Sequence, residues 1–419
     1  MKYTSIKGMS DIMPDKMPLW HKLEETVLSV FGAYGYSEIR TPIVEKTELF
    51  VRGIGENTAV VEKEMYTFKD LSDDMLSLRP EGTASVVRAY IENNVYQNDP
   101  VAKYLYIGHM FRRERPQKGR YRQFYQIGVE AIGIVDAAID AEQIAMADFF
   151  FKKLGLKDFS IEINSLGCKA CRPGFDKVFA GFLKEKRVHL CGDCQRRIEN
   201  NPLRALDCKN PGCIEAMKQA PTIGSHLCKE CETHFLAVQM ILNRLGTKFV
   251  VNHKVVRGLD YYMRTAFEFT TTKLGAQNAF LGGGRYDGLV KDLGGPAVSG
   301  VGFAIGMERV ILLMELEGSA SAERSDIIFF AVLGETAREN SLSIINMLRQ
   351  DGINIEWDPD GHSLKSQMRR ADKLAAHTVV IIGDDEIKKG AAVVRNMHTK
   401  EQSEVKLADL ARHFVRVEG

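Results

Sequence analysis

The apolar residues Trp20, Leu23, Val27, Val30, Phe31 and Tyr34 recur at helical spacing, which predicts an amphipathic helix over 20–34. GYSEIRTPIVEKTELF then reads as helix exit into a strand, with Pro42 where the extended run breaks. Over 102–134 the pattern changes to strand, basic turn, strand: KYLYIGHMFRR, ERPQKGRYR, QFYQIGVEAIGI. DAAIDAEQIAMADFFFKKLGL follows as an amphipathic helix, with Ile139, Ile144, Ala147 and Phe150 or Phe151 near one face. After a cysteine-bearing insertion, VVRGLDYYMRTAFEFTTT and QNAFLGGGRYDGL read as further strands, and GVGFAIGMERVILLMELEG as a strand feeding a helix. The polar stretch EGSASAERSD is a linker. Beyond it, the strands IIFFAVLG, INIEW and TVVIIG alternate with the helices ETARENSLSIINMLRQDG and SLKSQMRRADKLA, which predicts a compact parallel or mixed α/β domain. The expected division is 1–166 with 235–317 as one sheet-based domain, 167–234 inserted into it, 318–325 as linker and 326–419 as the last domain.

Composition narrows the classes. A chain of 419 residues has room for two or three domains. Its 56 Lys and Arg against 55 Asp and Glu leave a net charge of +1, so any basic surface is local. Such a surface exists at 112–122, where six basic side chains crowd into FRRERPQKGRYRQF. No run approaches the roughly 18 apolar residues of a membrane helix, and MKYTSIKGMSDIMPDKMPLW lacks an apolar core of signal-peptide length. The expected location is cytoplasmic, with no membrane partner.

Several short segments carry candidate chemistry. An arginine fork binds phosphate or carboxylate bidentately, and Arg112 stands at the foot of the basic hairpin, where a strand would hold it rigidly. RPEGT supplies Glu81 and Thr83 around a glycine, VRGLDYY sets Arg257 beside Tyr261 and Tyr262, and LGGGRYDGL and GVGFAIGMER are glycine-rich segments followed by arginines. Taken singly, each also reads as a helix cap, a surface turn, a hairpin glycine or close strand packing. Neither glycine segment fits the dinucleotide fingerprint, and no P-loop motif occurs, so arginines have to hold any bound nucleotide.

FRRERPQKGRYRQF closely resembles the second signature of class II aminoacyl-tRNA synthetases, GVGFAIGMERV resembles the third, and Pro42 fits the proline of the first. VRGLDYY and GGGRYDGL resemble the two boxes special to histidyl-tRNA synthetases, and the likeness runs from MSDIMP to SLKSQMRRADKLA. The resemblance implies an α+β fold: an antiparallel-sheet catalytic domain of the class II kind with a cysteine-rich insertion, then a C-terminal α/β anticodon-binding domain. It implies ligase chemistry in which L-histidine and ATP give histidyl-adenylate and pyrophosphate, after which histidine passes to the 3' end of tRNA(His). By the same resemblance Arg112 clamps the α-phosphate, Arg257 stabilises the carboxylate and the charge opposite it, and Arg309 holds the γ-phosphate of a bent ATP, with Mg²⁺ sharing the charge. Arg120 and Arg122 fall near ATP or the acceptor, and Arg115 and Gln117 where the family reads the acceptor end. Glu81, Thr83, Gln126 and Glu130 resemble the set that holds the amino group, and Tyr261 and Tyr262 would recognise the imidazole. In the last domain Arg369, Arg370, Lys373, Lys388, Lys389 and Arg395 supply positive charge, none singled out as a base reader. A homodimer is implied, with Pro42 and its flanks at the interface. The chain departs from the family pattern at His109, where proline is frequent, and at Leu281, where cysteine is common.

All eight cysteines fall in 168–231 as four close pairs, which in a reducing compartment suggest metal ligands before disulfides. Cys168 and Cys171 with Cys191 and Cys194 fit a four-cysteine zinc spacing, and Cys208 and Cys213 with Cys228 and Cys231 make a second, although the partnering is equally open to being crossed. His189, His226 and His234 are spare ligands by position. Two rival functions remain. One is the histidine-binding regulatory subunit of ATP phosphoribosyltransferase, a paralogue that typically loses parts of the arginine set and the C-terminal domain; here Arg112, Arg257, Arg309 and the α/β tail are all present. The other is a zinc-ribbon nucleic-acid module on a degenerate scaffold, which gives no reason for Glu81, Glu130 and the tyrosine pair.

Overall fold

The computed structural model describes residues 3–56, 58–117, 119–200, 202–275, 278–318 and 327–414. The chain divides into two units, Met1–Ala320 and Ser321–Gly419. Most of the expected linker, together with Lys118 of the basic cluster, lies outside the described residues. Among the described residues no helix is long and apolar enough to cross a membrane.

The strands of the first unit are, in chain order, β1 (Ser37–Glu38), β2 (Val44–Lys46), β3 (Tyr66–Lys69), β4 (Met75–Leu78), β5 (Ala102–Phe111), β6 (Gln123–Ile132), β7 (Ser160–Ser165), β8 (Val250–Val251), β9 (Met263–Thr270), β10 (Ala279–Arg285) and β11 (Gly300–Gly306). Eight of them form one sheet in the order β1-β5-β6-β11-β10-β9-β7-β8, antiparallel except at its two edge pairings. The other three make a small antiparallel sheet, β2-β4-β3.

Side chains alternate across a strand, and here the alternation separates two unlike faces. One face carries Ile127 and Val129 of β6, Phe303 and Ile305 of β11, Leu281 of β10, and Phe267 and Phe269 of β9. All are buried in the main core, against Leu23, Val27, Val30 and Phe31 of the helix Met17–Ala33 and Ile144, Ala147, Phe150 and Phe151 of the helix Ala137–Lys153. Both helices are where the apolar spacing puts them. The opposite face presents Gln126 and Glu130 of β6, glycines of β10 and β11, and Glu268 of β9.

The basic cluster is the connection of a hairpin, since β5 and β6 pair from Ala102↔Ile132 to Phe111↔Gln123. Two expected strand stretches differ. TELF opens the helix Thr47–Ile54, because Phe50 and Ile54, four residues apart, bury one helical face. VRGLDYY precedes β9 as a loop, anchored by the Asp260 amide on the Ile54 carbonyl at 3.0 Å. The helix Lys229–Arg244 starts at the last cysteine pair and carries Phe235, Val238 and Leu242 into the main core.

In the second unit β12 (Ile328–Leu333), β13 (Ile355–Trp357), β14 (Thr378–Gly383), β15 (Ala391–Asn396) and β16 (Gln402–Lys406) form a sheet ordered β13-β12-β14-β15-β16. Its first three strands are parallel and its last two antiparallel, so the sheet is mixed. Arg369, Arg370, Lys373, Lys388 and Lys389 are exposed and Arg395 half-buried.

A fully buried ion pair ties the first unit's sheet to its helices. Arg285, ending β10, meets Asp140 in the first turn of Ala137–Lys153 at 2.8 Å and also donates to the carbonyls of Ile134 and Asp136 at 3.1 and 2.9 Å. The Thr265 hydroxyl donates to Asp140 at 2.6 Å. Removing one partner strands the other as a buried charge, a loss of about 3–5 kcal/mol. Asp140→Ala is therefore expected to lower the urea midpoint by a corresponding amount, and an unchanged midpoint would remove the pair from this role.

Candidate active site

The glycine-rich segments form a floor, not a phosphate loop. Gly282 of β10 lies beside Ala304, and Gly302 of β11 beside Gly284, all on the polar face. A Cβ on Gly282 would stand 2.0 Å from the Arg257 guanidinium, and one on Gly302 would stand 1.9 Å from Glu130 Oε2. Only glycine leaves room for both side chains to lie against the sheet.

Arg257 donates to the carboxylate of Glu268, the β9 partner of Gly282, and its guanidinium sits 5.5 Å from the Tyr262 ring centroid. Arg112 donates from Nε to the Pro80 carbonyl at 2.9 Å and lies 5.4 Å from the centre of the Phe124 ring. Arg120 pairs with Glu114 at 2.6 Å. Arg309 donates to the carbonyls of Gly119, at 3.0 Å, and Ala279. Burial, then the neighbouring Arg120 guanidinium, lowers its pKa. These four arginines and Gln126 share the wall of one cavity of about 270 Å³. Gln126 Oε1 is buried there and has no hydrogen-bond partner among the described residues, which leaves an open acceptor in the cavity wall.

Glu81, Thr83, Glu130 and the two tyrosines do not line that cavity; they pack together on the same side of the sheet. Glu81 caps the helix Thr83–Glu92, accepting from the amides of Thr83 and Ala84 at 2.6 and 2.9 Å. Burial still raises its pKa. Glu130 accepts from the Thr83 hydroxyl at 2.6 Å and the Tyr286 hydroxyl at 2.7 Å. Burial pushes it up to about 8 although both hydroxyls pull it down, and the nearby Glu81 raises it again. Tyr261 stands 4.6 Å from Tyr262 and 5.8 Å from Tyr286, centroid to centroid. Arg115 and Gln117 are exposed on the hairpin connection, apart from the cavity wall, and Arg122 donates to the Glu114 carbonyl at 3.3 Å.

Sequence reasoning left Tyr286 and Glu268 without roles. Tyr286 stands inside the quoted GGGRYDGL, and Glu268 is a lone acid in an apolar strand, so both signals were present. The cysteines group otherwise than in chain order. Cys168 and Cys171 meet Cys228 and Cys231, while Cys191 and Cys194 meet Cys208 and Cys213. The first quartet forms where the insertion leaves and rejoins the sheet domain, so the outer pairs are neighbours in space. Among the described residues no histidine joins either quartet; His234 instead contacts Asp140 at 3.4 Å.

The histidyl-tRNA synthetase family model matches residues 8–170 and 192–310, and an anticodon binding domain model matches 327–416. The chain is 52% identical over 404 residues to the histidine–tRNA ligase of Geobacter metallireducens, covering 96% of this chain and 97% of that one. This chain belongs to the histidyl-tRNA synthetase family. Another member, the histidine–tRNA ligase of Thermodesulfovibrio yellowstonii, is 50% identical over 98% of this chain and 97% of its own. Among solved structures, the apo histidyl-tRNA synthetase of S. aureus superposes with a TM-score of 0.83 at 35% identity, over 99% of this chain and all of the other. A protein of Bacillus halodurans described as an ATP phosphoribosyltransferase regulatory subunit/histidyl-tRNA synthetase shares the fold, with a TM-score of 0.66 at 20% identity, covering 91% of this chain and 99% of that one. The synthetase catalytic domain and anticodon-binding domain expected from sequence are thus both present.

The raised pKa of Glu130 makes a stability prediction. Its folded value lies above the ordinary carboxyl value, so the folded state holds the proton more tightly; the contribution is complete at low pH and is lost as pH rises toward 8. Glu130→Gln has no proton to lose. Its stability relative to the native chain is expected to rise by about 2–3 kcal/mol between pH 5.5 and 8. Parallel urea curves at the two pH values check this, and a constant difference would place the Glu130 pKa near normal.

Proposed function

We propose that the chain is a histidine–tRNA ligase. It activates L-histidine with ATP to histidyl-adenylate, releasing pyrophosphate, and transfers histidine to the 3' end of tRNA(His). The observation that carries this reading is the convergence of Arg112, Arg120, Arg257 and Arg309 on one cavity beside the buried Glu81–Thr83–Glu130 cluster.

In activation, a histidine carboxylate oxygen attacks the α-phosphorus, a P–O bond forms, and the bond to the bridging oxygen breaks as pyrophosphate leaves. Both reactants are anions, so cations have to bring them together, and no side-chain nucleophile is needed. Arg112 holds the α-phosphate, Arg309 the γ-phosphate, Arg120 the nucleotide, and Arg257 the carboxylate and the developing charge. Carbonyl and carboxylate partners already fix these forks, which lowers the reorganisation needed in the transition state. Glu114 and Glu308 in the cavity wall are the oxygen donors that suit Mg²⁺. Held there, the ion would supply charge neutralisation on the polyphosphate.

Glu81, Glu130, Thr83 and Gln126 take the ammonium and its surroundings, and Tyr261 and Tyr262 take the imidazole. An amino acid without matching donors leaves these buried groups unpaired, which is the basis of selection. The exposed Arg115 and Gln117 meet the single-stranded acceptor end of tRNA(His), and the C-terminal unit reads the anticodon. A homodimer is supported by apolar side chains left exposed around Pro42 and on the small sheet, notably Ile43, Val44, Phe68 and Met75. Free thiols throughout the insertion fit a cytoplasmic, reducing location and structural zinc.

Charging of tRNA(His) with labelled histidine by the purified protein tests the reading. Arg257→Ala is expected to slow adenylate formation by about 10²–10³-fold while far-UV circular dichroism stays unchanged. An unchanged rate would take Arg257 out of the catalytic role, and histidine binding without charging would contradict the ligase reading.

A further inference from the structure

The insertion is built from the helices Arg172–Glu185, Gly192–Asn200 and Pro211–Ala216, around a small apolar cluster that includes Phe175, Phe179 and Leu183. A segment of this size buries too little apolar surface to hold one conformation without cross-links or metal. Its eight thiols are free, and within each quartet the four sulfurs lie within 4.8 Å of one another. Cys168 Sγ stands 3.7 Å from Cys171 and 3.8 Å from Cys228, Cys171 stands 3.8 Å from Cys231, and Cys191 stands 3.8 Å from Cys208. Sulfurs placed about 2.3 Å from a shared tetrahedral zinc lie about 3.8 Å from each other. A disulfide requires about 2.0 Å. Backbone amides also point at the sulfurs: Cys168 N–H at Cys171, 3.1 Å, and Cys191 N–H at Cys213, 3.2 Å. Such donors stabilise coordinated thiolates from outside the metal's own ligand set.

We propose that the insertion binds two zinc(II) ions in nested four-thiolate sites, and that the inner ion fixes one wall of the catalytic cavity. The outer ion, on Cys168, Cys171, Cys228 and Cys231, closes the neck between the end of β7 and the helix Lys229–Arg244. The inner ion, on Cys191, Cys194, Cys208 and Cys213, anchors the turn before Pro211–Ala216. Cys208 lies between Asp207 and Lys209, and both of these line the cavity with Arg112 and Arg257. Arg172 donates to the Tyr262 carbonyl at 3.1 Å and Arg204 to that of Gly258, so the insertion braces the loop that carries Arg257. Four protein sulfurs leave no open coordination position, which makes both ions structural, and thiol protons are released as they bind.

Metal analysis of the full chain, purified without chelator, is expected to find two zinc equivalents per chain. Substitution with cobalt(II) should bring two equivalents of sulfur-to-metal charge transfer, a readout that needs no variant. None or one by both measurements would overturn the proposal. The nesting is tested by pairs of variants: Cys168→Ser with Cys228→Ser should retain one ion, and Cys168→Ser with Cys191→Ser should retain none. The reverse outcome would establish pairing in chain order. None of these counts depends on the ligase reading. The coupling to the cavity does, and there Cys191→Ser with Cys213→Ser should raise the KM for ATP or histidine severalfold with kcat little changed. Unchanged KM values after loss of the inner ion, in an enzyme that still charges tRNA, would overturn the coupling alone.

Discussion

A guanidinium and a carboxylate can lie flat on a β-sheet only where the strands beneath lack side chains, and this steric constraint organises the whole catalytic unit. Gly282 makes the space for Arg257 and Gly302 the space for Glu130, each to within about 2 Å of where a Cβ would stand. The opposite face of the same strands cannot be bare, because it closes the core. Phe303 and Ile305, alternating with those glycines, pack on the two long helices. One sheet thereby serves as core on one side and as the polar floor of the candidate site on the other.

Positive charge reaches that surface from its borders. Arg112 and Arg120 come from the hairpin connection, Arg257 from the loop before β9, and Arg309 from the first turn of the helix after β11. With a net charge of only +1, the chain concentrates cations in one cavity wall and offsets them with Glu114 and Glu268 in the same wall. Glu81 and Glu130, which we propose take the ammonium of the amino acid, are kept in a drier layer with hydroxyl and amide donors. Their raised pKa values reflect that burial, and on the proposed reading an arriving ammonium would supply the missing counter-charge.

The long helices, the basic hairpin and the mixed C-terminal sheet were legible because each follows a single hydrophobic period. Register was not legible, since nothing in GGG or GVG states which strand lies alongside, and the meaning of those glycines depends on the neighbours. TELF misled because four residues satisfy a strand and a helix pattern equally until Ile54 completes the helical face. The arginines that gather on the cavity stood out as residue types beside glycine or tyrosine, whereas Tyr286 required knowing that β10 ends over Glu130. Cysteine spacing pointed to close pairs but not to which pairs meet. That depends on the neck of the insertion, a tertiary contact across about sixty residues of chain.

On the proposed reading a polar, glycine-floored site activates one amino acid, with arginines and Mg²⁺ holding the anions and no side-chain nucleophile taking part. ATP–pyrophosphate exchange with each of the twenty amino acids supplied separately tests it most directly. Exchange with histidine and with no other is the predicted result. Exchange with several amino acids, or none with histidine while histidine still binds, would contradict it.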